Sequence, residues 1–249
     1  MQEFLVKSSG RKGFVFKKIG STLDALATYQ SFTRPIFIIS PPRSGSTLLF
    51  ECLSRAKNIY YLQYEADRIW WNIFPYRNMK EPSDYIDLKE IDAEKLKKLR
   101  KRTYQEATKY FRDKLAGKAK FTYKLGIERI RYLDKTIANC FHLDVIDRAF
   151  PGAQYLFLVR DPRANISSMM DGWGKAEFSK PQLNQIISKC EQKTVEVWTY
   201  PAPSGWQNIL HYSLAQICAW SWQQHIEFAL AFLGPALSTH SSSKVRRFS

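Results

Sequence analysis

The chain has 249 residues, 45% hydrophobic and 14% aromatic, which suits one globular domain with a full core and excludes a disordered chain. Lys and Arg exceed Asp and Glu by 15 charges, a balance that favours an anionic ligand or acceptor. The four cysteines, Cys52, Cys140, Cys190 and Cys218, are too scattered for a disulfide framework or a metal site; they read as free thiols in a reducing, cytoplasmic setting with no metal cofactor.

In chain order, residues 1–34 read as an N-terminal segment with a short helix capped by Ser21 and Asp24, and Lys7, Arg11, Lys12, Lys17 and Lys18 interrupt any apolar leader. A β-branched run predicts a strand over Pro35–Ser40. After Pro41-Pro42-Arg43-Ser44-Gly45, a helix is predicted over Ser46–Ala56 with Leu49, Cys52, Leu53 and Ala56 inward. Ile59–Leu62 reads as a second strand. Residues 95–135 hold 15 Lys or Arg against 4 Asp or Glu, largely on a helix predicted over Ala93–Ala116, opened by Asp92 and closed by Gly117. Leu96, Leu99, Thr103, Ala107, Phe111 and Leu115 recur at helical spacing, so the cations occupy the remaining faces. No zinc-ligand spacing, aromatic RNA-binding strand or recognition-helix pattern accompanies them, so nucleic acid is not the expected partner.

Further along, Phe121–Gly126 and Ile130–Lys135 are strand candidates, Asn139–Phe150 a helix and Gln154–Val159 a strand. The apolar stretch 209–233 contains Gln216, Gln223, Gln224, His225 and Glu227 and reads as a core helix, not a membrane span. The Ser-rich tail from Ser238 reads as disordered, which leaves 35–233 as the core of a single domain spanning 1–249 and 234–249 as an atypical end. Alternating strands and helices predict an α/β fold, a parallel sheet flanked by helices on both faces, with ligand at the carboxyl ends of the strands.

Two strand ends carry the chemistry. In the first, Gly45 permits close backbone approach, the open N–H groups of the following helix point into the loop, and Arg43, Ser44, Ser46 and Thr47 add a charge and hydroxyls: a phosphate cradle. The loop lacks the Gly-Lys-Ser/Thr ending that serves nucleoside triphosphates, which argues against a kinase or GTPase. In the second, the strand ends in Arg160-Asp161-Pro162-Arg163 and passes into a helix carrying Asn165, Ser167 and Ser168. Arg160 and Ser168, eight residues apart, are placed to converge on one phosphate. Arg160 has the alternative of a salt bridge to Asp161.

The pair PPRSGSTLL (Pro41–Leu49) and LVRDPRANISS (Leu158–Ser168) resembles the sulfotransferases that use 3'-phosphoadenosine 5'-phosphosulfate (PAPS). The likeness covers roughly Pro35–Leu233. It implies a P-loop-like three-layer sandwich in which the first loop, Arg43 to Thr47, binds the 5'-phosphosulfate and Arg160 and Ser168 bind the 3'-phosphate. Asp134-Lys135-Thr136 is similar to the Lys-Thr-Pro segment of carbohydrate and bacterial members, with Ile137 in place of proline. The activity implied is in-line transfer of a sulfuryl group to a hydroxyl of a small-molecule, lipid or carbohydrate acceptor, with Arg43 and Lys135 offsetting charge on the leaving group and no metal.

An acceptor hydroxyl needs a base. Glu65, in Tyr64-Glu65-Ala66-Asp67, stands where members place a catalytic glutamate; Asp67 stands where some carry a histidine, and two close carboxylates raise one another's pKa. His142, His211 and His225 lack partner spacings that suggest chemistry. Trp220 and Trp222 read as packing or as one edge of the nucleotide site, and the aromatic segments 70–85 and 173–206 are expected around the acceptor cleft. Family members continue past the long helix, so the competing expectation is a shortened, catalytically impaired nucleotide- or polyanion-binding protein.

Overall fold

Strand β1 (Ile36–Ile39) is four consecutive β-branched or aromatic residues, all buried, as a strand covered on both faces requires. A computed structural model of the chain describes residues 32–57, 59–75, 82–112, 131–175 and 180–239. Strands β2 (Ile59–Tyr60), β3 (Arg131–Asp134) and β4 (Gln154–Phe157) join β1 in an all-parallel sheet of order β2-β3-β1-β4, with Ile36 opposite both Leu133 and Gln154. The central position of β1 puts its carboxyl end, and the first loop, between the ends of β3 and β4.

Period-two alternation distributes β1 between two layers. Ile36 and Ile38 join Ile59 and Leu133 on one face and receive Leu49, Phe50 and Leu53 of α1 (Ser46–Ser54). Phe37 and Ile39 face the other way into the larger core. There they meet Ile69, Trp70 and Ile73 of α2 (Asp67–Ile73), Leu99 and Ala107 of α3 (Ala93–Arg112) and Val145, Ile146 and Ala149 of α4 (Leu143–Ala149). Ala229 of the long α7 (Leu214–Thr239) closes this layer. The fold is the expected three-layer α/β sandwich, a parallel sheet with helices on both faces.

Helix α3 is capped as read: Asp92 Oδ1 accepts from Lys95 N at 2.7 Å. Leu99, Thr103 and Ala107 are buried, while Lys97, Lys98, Lys101, Arg102 and Lys109 are exposed, so the part of the basic stretch on α3 is a solvated face over an apolar stripe. The helix expected over Asn139–Phe150 is divided. A 3-10 turn (Ile137–Phe141) precedes α4, and His142 at the junction donates its backbone N–H to Asn139 O.

A second apolar cluster lies under α6 (Pro181–Ile187), where Leu183, Ile187, Trp198, Trp206 and Ile217 pack together. Trp70, Trp198 and Trp206, from the two aromatic segments, are buried core residues, and the Trp206 indole N–H donates to Pro82 O at 2.7 Å. Trp220 packs on the second cluster and Trp222 on a small one formed by Met169, Tyr200 and Cys218. Cys52 is exposed, contrary to its inward assignment; Cys140 and Cys218 are buried, and all four thiols are free. Among the described residues no helix is long and apolar enough to cross a membrane. The helix read at Ser21 and Asp24, the strand at Phe121–Gly126, Gly117 and the tail beyond 239 lie outside the described residues.

Candidate active site

The carboxyl end of β1 turns through Arg43 and Gly45, both with positive φ, 64° and 91°. Gly45 is the N-cap of α1 and nothing lies within 4 Å of a Cβ built on it, so its side is open. No side chain caps α1, which leaves the first-turn N–H groups directed at the loop. Arg43, Gly45 and Thr47 are exposed there; Ser44 and Ser46 are buried. The Ser44 hydroxyl is committed internally, donating to Pro41 O at 2.9 Å and accepting from Asn165 Nδ2 at 3.0 Å.

Helix α5 (Pro162–Gly172) begins as its sequence specifies, with Pro162 in the first turn and Asp161 accepting from Arg163 N at 2.9 Å. Asp161 also pairs with the Arg163 guanidinium, which holds its carboxyl down at about 2. Arg160 is thereby released from the salt bridge that adjacency to Asp161 suggested. Its Nη1 donates to Arg43 O at 3.2 Å, and Arg43 Nε donates to Ser168 Oγ at 3.2 Å. The two loops, more than a hundred residues apart in sequence, are one connected structure at the ends of adjacent strands.

On the other side of β1, Lys135 and Glu65 meet at 2.5 Å, and Glu65 Oε2 accepts from Ile137 N at 3.1 Å. Thr136 braces the same turn, its Oγ1 accepting from Ala66 N at 2.7 Å and donating to Asp134 Oδ1 at 2.9 Å. A cavity of about 200 Å³ opens here, lined by Thr47, Phe50, Leu62, Tyr64, Glu65 and Lys135 among others. It joins the first-loop helix to the Glu65–Lys135 pair. Burial pushes Asp134 above the usual carboxylate range, against the hydrogen bonds from Asn139 and Thr136.

Glu65 and Asp67 have different hydrogen-bond surroundings despite their proximity. Glu65 has two donors. Burial pushes the half-buried Asp67 up to about 7, Lys180 opposing this and Glu65, Asp84 and Asp134 adding to it. The histidines read as unremarkable are structural: burial drives His142 and His225 down to about 4, with His142 against the Trp70 ring and His225 Nδ1 on Ser221 O at 2.7 Å. His211 is exposed.

Four residues escaped sequence reasoning. Asn165 was visible only as a polar residue on α5; nothing local told that it reaches Ser44. Tyr200 Oη donates to Met169 O at 3.1 Å and lies where a Cβ at Gly172 would fall, beside Arg43. Asp84 and Lys180 form a buried ion pair, with distances of 3.0 and 3.1 Å to the two carboxylate oxygens, and Ala202 N donates to Asp84 Oδ2 at 2.6 Å. Nothing in the sequence set these two apart from the other charges of the two aromatic-rich segments.

Similarity to known proteins accords with this geometry. Residues 35–217 match the model of the sulfotransferase family, a span that contains both loops and the Glu65–Lys135 pair. Similar solved structures include the sulfotransferase domain from the curacin biosynthetic pathway, with 15% identity, a TM-score of 0.39, and coverage of 82% of this chain and 64% of that one. Sulfotransferase STF9 from Mycobacterium avium gives 12%, 0.40, 89% and 60%, and STF1 from Mycobacterium tuberculosis H37Rv 13%, 0.38, 91% and 65%. The chain thus spans 60–65% of the length of those structures. No curated protein matches it closely. The family match alone, covering well over half of the residues, is sufficient: this chain belongs to the sulfotransferase family.

Proposed function

We propose that this protein transfers a sulfuryl group from PAPS to a hydroxyl of a small-molecule, lipid or carbohydrate acceptor. The reading is carried by the hydrogen bonds Arg160–Arg43 O and Arg43–Ser168, which set two anion-ready loops side by side as a ligand with 5' and 3' anionic groups demands. The residues present fit such a nucleotide: an open Gly45, uncapped α1 amides, exposed Arg43 and Thr47, and exposed Arg160 beside Ser168.

In this mechanism Arg43, the amides at the start of α1 and Thr47 hold the 5' end, while Arg160 and Ser168 hold the 3'-phosphate. The buried hydroxyls of Ser44 and Ser46 shape the loop. The acceptor occupies the cavity beside Thr47, and its hydroxyl proton goes to Glu65 as its oxygen forms the new bond to sulfur. The bond from sulfur to the bridging oxygen breaks, and the electron pair leaves with 3'-phosphoadenosine 5'-phosphate. Lys135, paired with Glu65 in the free protein, transfers its hydrogen bond to that oxygen, which frees Glu65 Oε1 to act as base.

Calorimetric titration with 3'-phosphoadenosine 5'-phosphate, against ATP and 5'-AMP, tests the reading. Binding that depends on the 3'-phosphate supports it; equal affinity for 5'-AMP refutes the Arg160–Ser168 assignment, and no binding refutes the donor.

A further inference from the structure

Arg43 carries its charge on a backbone that L-residues avoid. A φ of 64° lies in the left-handed region, which a non-glycine residue adopts at a steric cost, and such a conformation persists only where its surroundings over-determine it. The surroundings here are specific. Ser44 is clamped between Pro41 O and Asn165, the Arg43 carbonyl accepts from Arg160, and the Arg43 side chain donates to Ser168. Three of these four hydrogen bonds come from the segment 160–168, outside the loop they shape.

Asn165 is the buried member of the set. It is wholly inaccessible, one turn before Ser168 on α5, and its Nδ2 to Ser44 Oγ distance is 3.0 Å. Because Ser44 donates its own proton to Pro41 O, its oxygen is available only as an acceptor, and Asn165 supplies the matching donor. A hydroxyl with both roles filled has one orientation, and that orientation fixes the peptide next to Arg43. Arg160 and Ser168 are exposed or half-exposed and free to engage a ligand; Asn165 is not.

We infer that Asn165 is a positioning residue: through the Ser44 hydroxyl it holds Arg43 in its left-handed conformation, so the shape of the first anion loop is set by the helix that carries the second. The ligand-binding consequence rests on the proposed nucleotide reading; the conformational one does not. The first loop is built correctly only when α5 is docked on β1, and a nucleotide that grips Arg160 and Ser168 tightens the same clamp.

The test is a double-mutant cycle in the full chain with Ser44→Ala, Asn165→Leu and the pair, read by affinity for 3'-phosphoadenosine 5'-phosphate and by amide hydrogen exchange of the ligand-free protein. Each single change is expected to weaken binding about tenfold, the scale of one buried hydrogen bond, and the pair no further than the weaker single. Additive losses would overturn the inference. Exchange at the Leu49 amide, which donates to Gly45 O, is expected to accelerate in all three variants while Ile38 in β1 stays protected; uniform acceleration marks a merely structural residue and also overturns it. If Asn165→Leu does not fold, Ser44→Ala alone must still accelerate loop exchange, since it removes the atom through which Asn165 acts. If the wild type binds no nucleotide, the proposed donor fails, while loop exchange still decides the role of Asn165.

Discussion

Arg43 Nε donates to Ser168 Oγ across 125 positions of sequence, at 3.2 Å. This contact exists because β1 and β4 are parallel neighbours, so the loop after one and the helix after the other emerge at the same edge. It places a guanidinium at the junction of the two proposed anion sites, and the side chain has work to do on both.

Arg43→Ala is therefore expected to abolish measurable turnover, whereas Arg160→Ala acts chiefly on affinity. A hydrogen bond to a charged group is worth about 1.5–3 kcal/mol, so Arg160→Ala should raise the Kd for 3'-phosphoadenosine 5'-phosphate by roughly 10- to 100-fold. Calorimetry with and without the 3'-phosphate separates the two; an unchanged Kd for Arg160→Ala removes that residue from the site.

Glu65→Gln is expected to lower kcat by about 10²–10⁴, the usual contribution of a general base, with donor affinity unchanged. Glutamine keeps one acceptor oxygen, which suffices for Ile137 N and so preserves the turn, while its amide NH2 replaces the oxygen that Lys135 uses. Steady-state kinetics check this, and a kcat within twofold of wild type moves the base elsewhere.

Gly172→Ala places a methyl 2.3 Å from Tyr200 Oη, which is packed and hydrogen-bonded to Met169 O. The expected cost is about 1–3 kcal/mol, as for other overpacked sites. Arg43 is adjacent, so nucleotide affinity should fall with stability. Combining the change with Tyr200→Phe, which removes the clashing oxygen, should recover much of the loss in thermal midpoint.

Asp84→Ala leaves the Lys180 ammonium in a site where the side chain is 8% exposed and strands Ala202 N. Breaking a buried pair this way costs about 3–5 kcal/mol. Replacing both partners with apolar residues of similar volume should cost far less, and urea denaturation of the single and double variants measures the difference.

Asp67 titrates near 7 in the folded protein against 3.8 for an ordinary carboxyl. Between these values the folded state binds more protons than the unfolded one, so this group's contribution to stability is full below about pH 4 and declines as pH rises towards 7. Asp67→Asn should flatten that decline and raise the thermal midpoint at pH 8. A midpoint for Asp67→Asn that follows the wild-type curve from pH 5 to 8 contradicts the assignment.

Much of the fold was legible because its signals are local. The run Ile36–Ile39 is β-branched and aromatic, Pro162 and Asp161 mark a helix start, and Asp92 caps α3 as read. The strand ends and their loop chemistry followed from the same turn residues. Less was legible where an apolar residue had two possible destinations. Trp70, Trp198 and Trp206 carry the same composition whether they line a cleft or fill a core, and packing alone decided for the core. Cys52 faces solvent because the face of α1 that covers the sheet is the one carrying Leu49, Phe50 and Leu53.

What the amino-acid sequence determined by itself is the set of short-range instructions: which segments are strands, where β1 breaks into a glycine turn, and which residues at two strand ends suit an anion. Tertiary structure decided the pairings. Ser44 with Asn165, Glu65 with Lys135 and Asp84 with Lys180 lie 121, 70 and 96 positions apart, separations that no helical or strand period encodes. The first two arise from the order β2-β3-β1-β4, which brings the ends of β3 and β4 to either side of the first loop and so converts separate motifs into one site.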